Sequence, residues 1–497
     1  MTQMPGDPER ATQPAPSTRP GFGPPPGDVK HPTRSRRIVA ALVGAALLAV
    51  GITAWAMNRS PDPATAAPAA SASSSPAKPS KAPKALAFPP RLAPSWTAPA
   101  VTGDILRAKL MGTWRTGSSY YVGRGTGIAV YDQATGKQTD SLEPPKPGMS
   151  PCGMSDGLNK NGLGAIAWLE GDPESYKASC DHISLIDTRN GNKTVWTTTV
   201  TGAPLGGKAL TNDTTRMGFT GDVLAVMTPN TVVGLRTDQS VAWTWRNPGA
   251  TTDTYVLNWD MTIAADRLMV LLGTEHGATW TYDVTTLDQT GRQLPPAAVP
   301  LPVPKDGSVD LLSAAPMTAL LRPDPFDDHT PAELVTFTRD GNIARHIKLT
   351  TPAGPAELGQ FFLLGRAEKF NIQLTDTTAY VVAGDTMSSD TPTQVTAFDL
   401  ASGAARWTRP VDKATQPRFV GADTDTVYVL GGKNVLNMAL YAYSATDGSR
   451  TQISTVEAPD GLLMLSSLLI DYTPGSLAMV DIGRGPAGAF MWHAPGS

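Results

Sequence analysis

The sequence predicts an all-β body carried on a basic, proline-rich arm. Three observations predict it: a strand–turn–strand unit that recurs along residues 101–497, a near absence of helical periodicity there, and an abrupt change of composition near residue 100. Residues 1–100 hold 19 of the 45 prolines and carry 11 Lys+Arg against 4 Asp+Glu, whereas residues 101–497 carry 30 against 40. An acidic body speaks against nucleic acid as a partner, since nucleic-acid binders present a basic face. Two cysteines in 497 residues exclude a scaffold built on disulfides and a Cys-rich zinc module.

Residues 1–37 are Pro, Gly, Thr and Arg with almost no aliphatic side chains. Such a stretch cannot bury enough apolar surface to offset the entropy of ordering, and a disordered tail is expected. It ends in Lys30, His31, Arg34, Arg36 and Arg37. Residues 38–57, Ile38 to Met57, then run for twenty positions without a charge. At about 1.5 Å per residue that length crosses a hydrocarbon core of roughly 30 Å. The positive flank precedes the span, which predicts a single-pass plasma-membrane anchor with a cytoplasmic N-terminus and an extracytoplasmic body. Ala54-Trp55-Ala56 also fits a signal-peptidase site, but the apolar run is longer than a secretory signal needs. Ala41, Ala45 and Ala49 form a small-residue face that could pair helices, or simply reflect abundant alanine. Residues 58–100, rich in Ala, Pro and Ser, predict an extended linker.

In the body a short apolar strand runs into a turn bearing Asp and Gly, followed by a second strand. Copies are Ile128–Asp132 with Gly136, Ile183–Asp187 with Gly191, Val232–Leu235 with Asp238, and Trp280–Asp283 with Gly291. Later ones are Leu334–Phe337 with Gly341, Val395–Asp399 with Gly403, and Leu440–Tyr443 with Gly448. Each has an apolar strand upstream, such as Ala165–Leu169 or Val427–Leu430. An Asp before Gly suits a tight hairpin that needs a left-handed residue. A lone four-stranded sheet leaves both faces bare, so such units must stack around an axis. A repeat near 50 residues over 101–497 predicts a β-propeller of about eight four-stranded blades, with seven the alternative. The last copy, residues 468–492, looks truncated, and residues 101–115 are expected to complete it and fasten the ring.

The pattern aliphatic-x-Tyr/Phe-Asp, then Gly-Lys, then Trp, clearest at Val130–Lys137, Ala397–Trp407 and Tyr441–Gly448, resembles the pyrroloquinoline-quinone-like (PQQ-like) propeller repeat. That family includes quinoprotein dehydrogenases and non-enzymatic scaffolds, so the resemblance implies a fold and leaves the activity open. Its enzyme branch implies PQQ, Ca²⁺ and an Asp base, and in some members a disulfide between adjacent cysteines. This chain has no adjacent cysteines and no matching Glu/Asn/Asp set, so no catalytic, cofactor or metal residue carries over. Cys152 and Cys180, outside the membrane and without C-x-x-C spacing, are expected to form a structural disulfide pinning the excursion Gly153 to Ser179.

Other candidates are weaker. Asp324-Pro325-Phe326-Asp327-Asp328-His329 offers cation ligands without calcium-loop spacing. Gly123-Arg124-Gly125-Thr126-Gly127 lies between strands and reads as a hairpin, since a phosphate cradle needs a following helix. The six histidines never pair at ligand spacing, and Trp168, Trp196, Trp243 and Trp407 read as packing between blades, not as a sugar platform. The expected function is a non-enzymatic binding or scaffolding module for a protein or cell-envelope ligand, met at the blade-connecting loops and the channel mouth. The alternatives are a transmembrane sensor and a PQQ-dependent dehydrogenase.

Overall fold

The computed structural model describes residues 89–99 and 110–493, apart from 172–178, 201–214, 250–255, 277–278, 297, 305–306, 324–329, 352–353, 356–371, 384–392, 412–416, 433–436, 458–467, 474–475 and 482–488. The chain divides into Met1–Pro76, outside the described residues, and Ala77–Ser497, which holds everything below. The span 38–57 falls in the first part. Among the described residues no helix is long and apolar enough to cross a membrane.

The body is all β. Eight sheets of four or five strands follow one another among the described residues, over 110–142, 150–199, 216–246, 256–301, 308–348, 372–410, 418–456 and 468–493. Within each, consecutive strands pair antiparallel in chain order. The second strands read as continuous apolar runs because both of their faces are covered. Leu163–Glu170 is buried throughout except at its last residue. The outermost strands are mostly exposed around a buried anchor, as in Lys193–Thr199, where Trp196 is buried and Lys193, Thr194 and Val195 are exposed.

Eight apolar clusters hold the sheets together, and each draws on two consecutive sheets. The cluster of Ala478, Val480, Ala489 and Met491 with Tyr120, Val122 and Tyr131 joins the last sheet to the first. First strands of consecutive sheets lie side by side from the first sheet through the fifth and from the sixth through the eighth. This is a β-propeller arrangement, a ring in which each sheet's faces are covered by its neighbours.

The closure corrects the sequence expectation. Residues 110–115 are the first strand of the first sheet, Leu110–Arg115, and do not complete the last. The last sheet is completed by a segment assigned to the linker. Strand β1 (Arg91–Leu92) adds in parallel to the outer strand of the seventh sheet, and β2 (Trp96–Thr97) adds antiparallel to Ala489–His493 of the eighth. Two-residue strands carry too little patterning to read in a Pro/Ala-rich context. What holds them is side-chain burial. Leu92 enters the cluster between the seventh and eighth sheets. Trp96 stacks on Tyr131 at 5.8 Å and donates its indole N–H to the Gln133 carbonyl at 2.6 Å. Arg91 pairs with Glu457, and Ser454 Oγ donates to the Pro89 carbonyl at 2.6 Å.

The same docking recurs around the ring. A tryptophan on the outer strand of one sheet donates to a carbonyl in the last turn of the next. Trp196 reaches Thr237 at 2.9 Å, Trp243 reaches Gln289 at 3.0 Å and Trp407 reaches Ala445 at 3.1 Å. At the fifth sheet an arginine substitutes, with Arg345 donating to Ser402 at 3.2 Å. Trp168 lies instead on a second strand, in the cluster between the first and second sheets. The turn glycine is the floor of this contact. Gly136 has φ +67°, and a Cβ there would come within 2.4 Å of the Trp96 ring.

The disulfide forms as expected, with S–S 2.00 Å and Cα–Cα 6.0 Å. Its setting differs. Gly153 to Ser179 is no surface excursion, because it contains the end of one strand and all of Leu163–Glu170. Cys152 sits at a register shift of the first strand and Cys180 pairs with Leu169 beside another, so the bridge staples the first and third strands across the second. The turn of the fourth copy also shifts. Its third strand is Thr279–Asp288, so the turn aspartate is Asp288, and Asp283 lies in mid-strand where burial pushes its carboxyl up.

Two predictions follow from the turns. Trp96→Ala should destabilise the body by about 3–5 kcal/mol. Gly136→Ala should cost at least about 1–2 kcal/mol through its left-handed backbone alone. Because both act on one contact, the double variant should cost clearly less than the two single costs added; chemical denaturation measures all three. The second concerns acid. Asp132 is held below the usual carboxylate range by hydrogen bonds from Thr135, Asp238 by those from Ser240, Asp399 by Ser402 and Arg406, and Asp447 by Ser449. A lowered carboxylate contributes stability that is present above its unfolded value of about 3.9 and is lost as pH falls through its folded value. Melting temperature should therefore fall steeply below about pH 4, and an Asp399→Asn variant should show a shallower fall.

Candidate functional site

Alternating strand direction sorts the loops. Turns joining first to second and third to fourth strands fall at one end of each sheet, here the hairpin end. The remaining hairpins and all crossings between sheets fall at the other. Hairpin-end turns are mostly short, such as 116–118, 221–222 and 400–404, while crossings range from short ones such as 302–307 and 411–417 to the long 200–215, 349–371 and 457–467.

A cavity of about 990 Å³ opens at the hairpin end. It is lined by the 116–118 turn of the first sheet, the 157–162 turn of the second, Thr188 and Arg189 from the second sheet's last turn, and Asp471 from the first strand of the eighth. Its charged groups are Arg115, Lys160, Arg189 and Asp471.

Each wall is held by local chemistry. Asn159 Oδ1 accepts from the backbone N–H groups of Asn161 at 2.9 Å and Leu163 at 3.0 Å, closing the turn that carries Lys160. Trp114 donates its indole N–H to the Ser155 carbonyl at 3.0 Å, tying that turn to the first sheet. Gly162, at φ +75°, lies beneath the Arg189 side chain, where a Cβ would come within 2.8 Å of it. Arg189 Nη2 donates to the Lys160 carbonyl at 2.7 Å, and Thr188 Oγ1 donates to the Gly162 carbonyl at 2.7 Å. The two turns of the second sheet are thus locked together.

The floor is polar. Arg115 donates from Nε to Gln133 Oε1 at 2.8 Å and from Nη2 to Ser476 Oγ. Its buried Nη1 and the buried Asn159 Nδ2 have no hydrogen-bond partner among the described residues. Burial pushes the half-buried Asp471 carboxyl up, and the Arg115 guanidinium pulls it partly back. Tyr120, fully buried, has its phenol pushed far up by burial and by Asp471. Lys160 is exposed and meets Asp222 at 3.0 Å. A smaller cavity of about 310 Å³ lies between the second and third sheets beside the exposed Val241.

None of the four charged residues was singled out by sequence. Arg115 and Asp471 are 356 positions apart, and only ring closure brings them together. Of the sequence candidates, Gly123–Gly127 forms the predicted hairpin between Ser119–Arg124 and Gly127–Asp132. Asp324–His329 lies outside the described residues. His182, between Asp181 at 2.8 Å and Glu170 at 3.3 Å, sits on the second sheet, and His346 meets Glu333 on the fifth. Among the described residues no group of three or more His, Cys, Asp or Glu could hold a metal ion.

No protein-family model matches the chain, and no curated protein matches it. Solved structures do. A quinohemoprotein alcohol dehydrogenase, ADHIIG from Pseudomonas putida HK5, is similar at 10% identity over 81% of this chain and 76% of that one, with a TM-score of 0.46. The Pan2 WD40 domain of Neurospora crassa is similar at 12% identity over 71% of this chain and 93% of that one, with a TM-score of 0.39. At these identities the likeness is one of fold, and the two come from an enzyme and from a WD40 domain.

Proposed function

We propose that the chain is a membrane-tethered, eight-bladed, PQQ-like propeller that acts as a non-catalytic binding module on the outer side of the plasma membrane. The observation that carries the module reading is the uneven division of the loops. Rigid sheets and short hairpins set a fixed frame, and the long crossings between sheets gather at one end, where a frame can present variable side chains to a protein or envelope component. Eight sheets with eight shared clusters support the blade count. The uncharged run 38–57 behind its basic flank supports the anchor. No Asp base or cofactor set accompanies the repeat, which weighs against the dehydrogenase. One observation favours a sensor as the second reading. The linker enters the ring through β1 and β2, so whatever the tether feels is applied to the closure.

Protease added to intact protoplasts carrying the full chain should remove the body and leave residues 1–57 protected; a protected body would sink the membrane placement. The full chain should melt at the same temperature with and without PQQ plus Ca²⁺. Saturation at 100 times Kd would add about 2.7 kcal/mol, so a Ca²⁺-dependent rise would overturn the non-catalytic reading.

A further inference from the structure

We infer that the hairpin-end cavity between the eighth, first and second sheets is a second binding site, and that it takes an acidic saccharide. The inference goes beyond the module reading, which places contacts at the long crossings and the channel mouth.

Charge selects an anion. Three cationic side chains from three separate elements line the cavity, Arg115 from a first strand and Lys160 and Arg189 from two turns, against one lining carboxylate, Asp471; Lys160 also meets Asp222, just outside the lining, at 3.0 Å. This concentration occurs in a body with an excess of acidic residues, so it does not reflect bulk composition. Arg189 is held in place by Gly162 and the Lys160 carbonyl before any ligand arrives. A guanidinium fixed in this way binds a carboxylate or phosphate with little further ordering cost.

Neutral chemistry selects hydroxyl groups. The lining includes the hydroxyls of Thr113, Thr116, Ser118 and Thr188 and the amide of Asn159, and its large apolar side chains are Leu158 and Trp114, the latter buried. Cavities for apolar ligands are lined mainly by hydrophobic and aromatic groups; this one is not. Two donors of lining residues, Arg115 Nη1 and Asn159 Nδ2, are buried without a partner among the described residues, which is a standing cost. Neither atom is open to the cavity, so an acceptor-rich ligand or its ordered water satisfies them only through a side-chain shift. The volume of about 990 Å³ is ample for one or two sugar rings with hydration. Asp471 then serves as an acceptor for a ligand hydroxyl beside Arg115.

The test is calorimetric titration of the purified full-length protein with glucose 6-phosphate, glucuronate, glucose and inorganic phosphate. Glucose 6-phosphate or glucuronate should bind at least about tenfold more tightly than either glucose or inorganic phosphate. Raising the salt from about 50 to 500 mM should weaken that binding. The double charge reversal Lys160→Glu/Arg189→Glu sits on turns; with an unchanged melt it should lower affinity at least about tenfold. Glucose binding equally well would overturn the anion selection, and inorganic phosphate accounting for the whole affinity would overturn the saccharide. No binding by any of the four, or binding indifferent to the charge reversal, would overturn the site while leaving the module reading at the opposite end untouched. Consumption of a titrant would instead sink the non-catalytic reading and leave the site in place.

Discussion

Each sheet of this ring depends on its neighbours for the cover of both faces, and no sheet can fold its apolar surface away alone. That constraint explains why the second strands are buried along nearly their whole length and why the apolar clusters straddle sheets instead of lying within them. It also explains the outer tryptophans. A wedge-shaped sheet touches its neighbour tightly near the axis and splays toward the rim, so a large side chain is needed to bridge the gap outside. The indole fills that gap and its N–H donates to a carbonyl of the next sheet's last turn. Where tryptophan is missing, Arg345 spans the same distance with a longer, thinner side chain and the same donor role.

Much of this was legible in the sequence. The Asp–Gly turns stood out because they combine a backbone demand, a left-handed residue, with a side-chain demand, an Asp that caps the turn. The demand is met once without glycine: Gln239 takes φ +73° in the third sheet, which is why that copy reads as degenerate. The pairing of Cys152 with Cys180 was also legible, whereas its position across a middle strand was not. Register shifts at both cysteines bring the first and third strands within reach, and a register shift leaves no mark in composition. The closing strands were misplaced for a related reason. Arg91–Leu92 and Trp96–Thr97 are too short for any period to show, and their evidence lies in partners almost four hundred positions away.

The cavity was invisible for a third reason. Its walls are turns, and turn residues are chosen first for backbone geometry. Asn159 and Gly162 would stand where they do in any tight connection; Lys160 and Arg189 look like ordinary solvated charges. Their meeting at one cavity emerges only when two turns of one sheet are latched together and a strand from the other end of the chain adds Asp471. Asp471 and Arg115 share that property. They line one cavity from either side of the seam and come together only while the seam is closed.

The seam also sets an order of events during synthesis. Strand β2 pairs with Ala489–His493, so a strand at the start of the described body waits for the last one. At roughly 5–20 residues per second, that wait is on the order of 20–80 s, long on the scale of hairpin formation. Seven sheets can take shape behind one another in that interval, each offering an open face to the next. The N-terminal strap meanwhile has no partner, with Leu92 and Trp96 exposed. Its brevity is then an advantage, since two residues of strand make a poor template for pairing with the wrong chain. A longer closing strand would fasten the finished ring more firmly and leave the nascent chain more prone to aggregate.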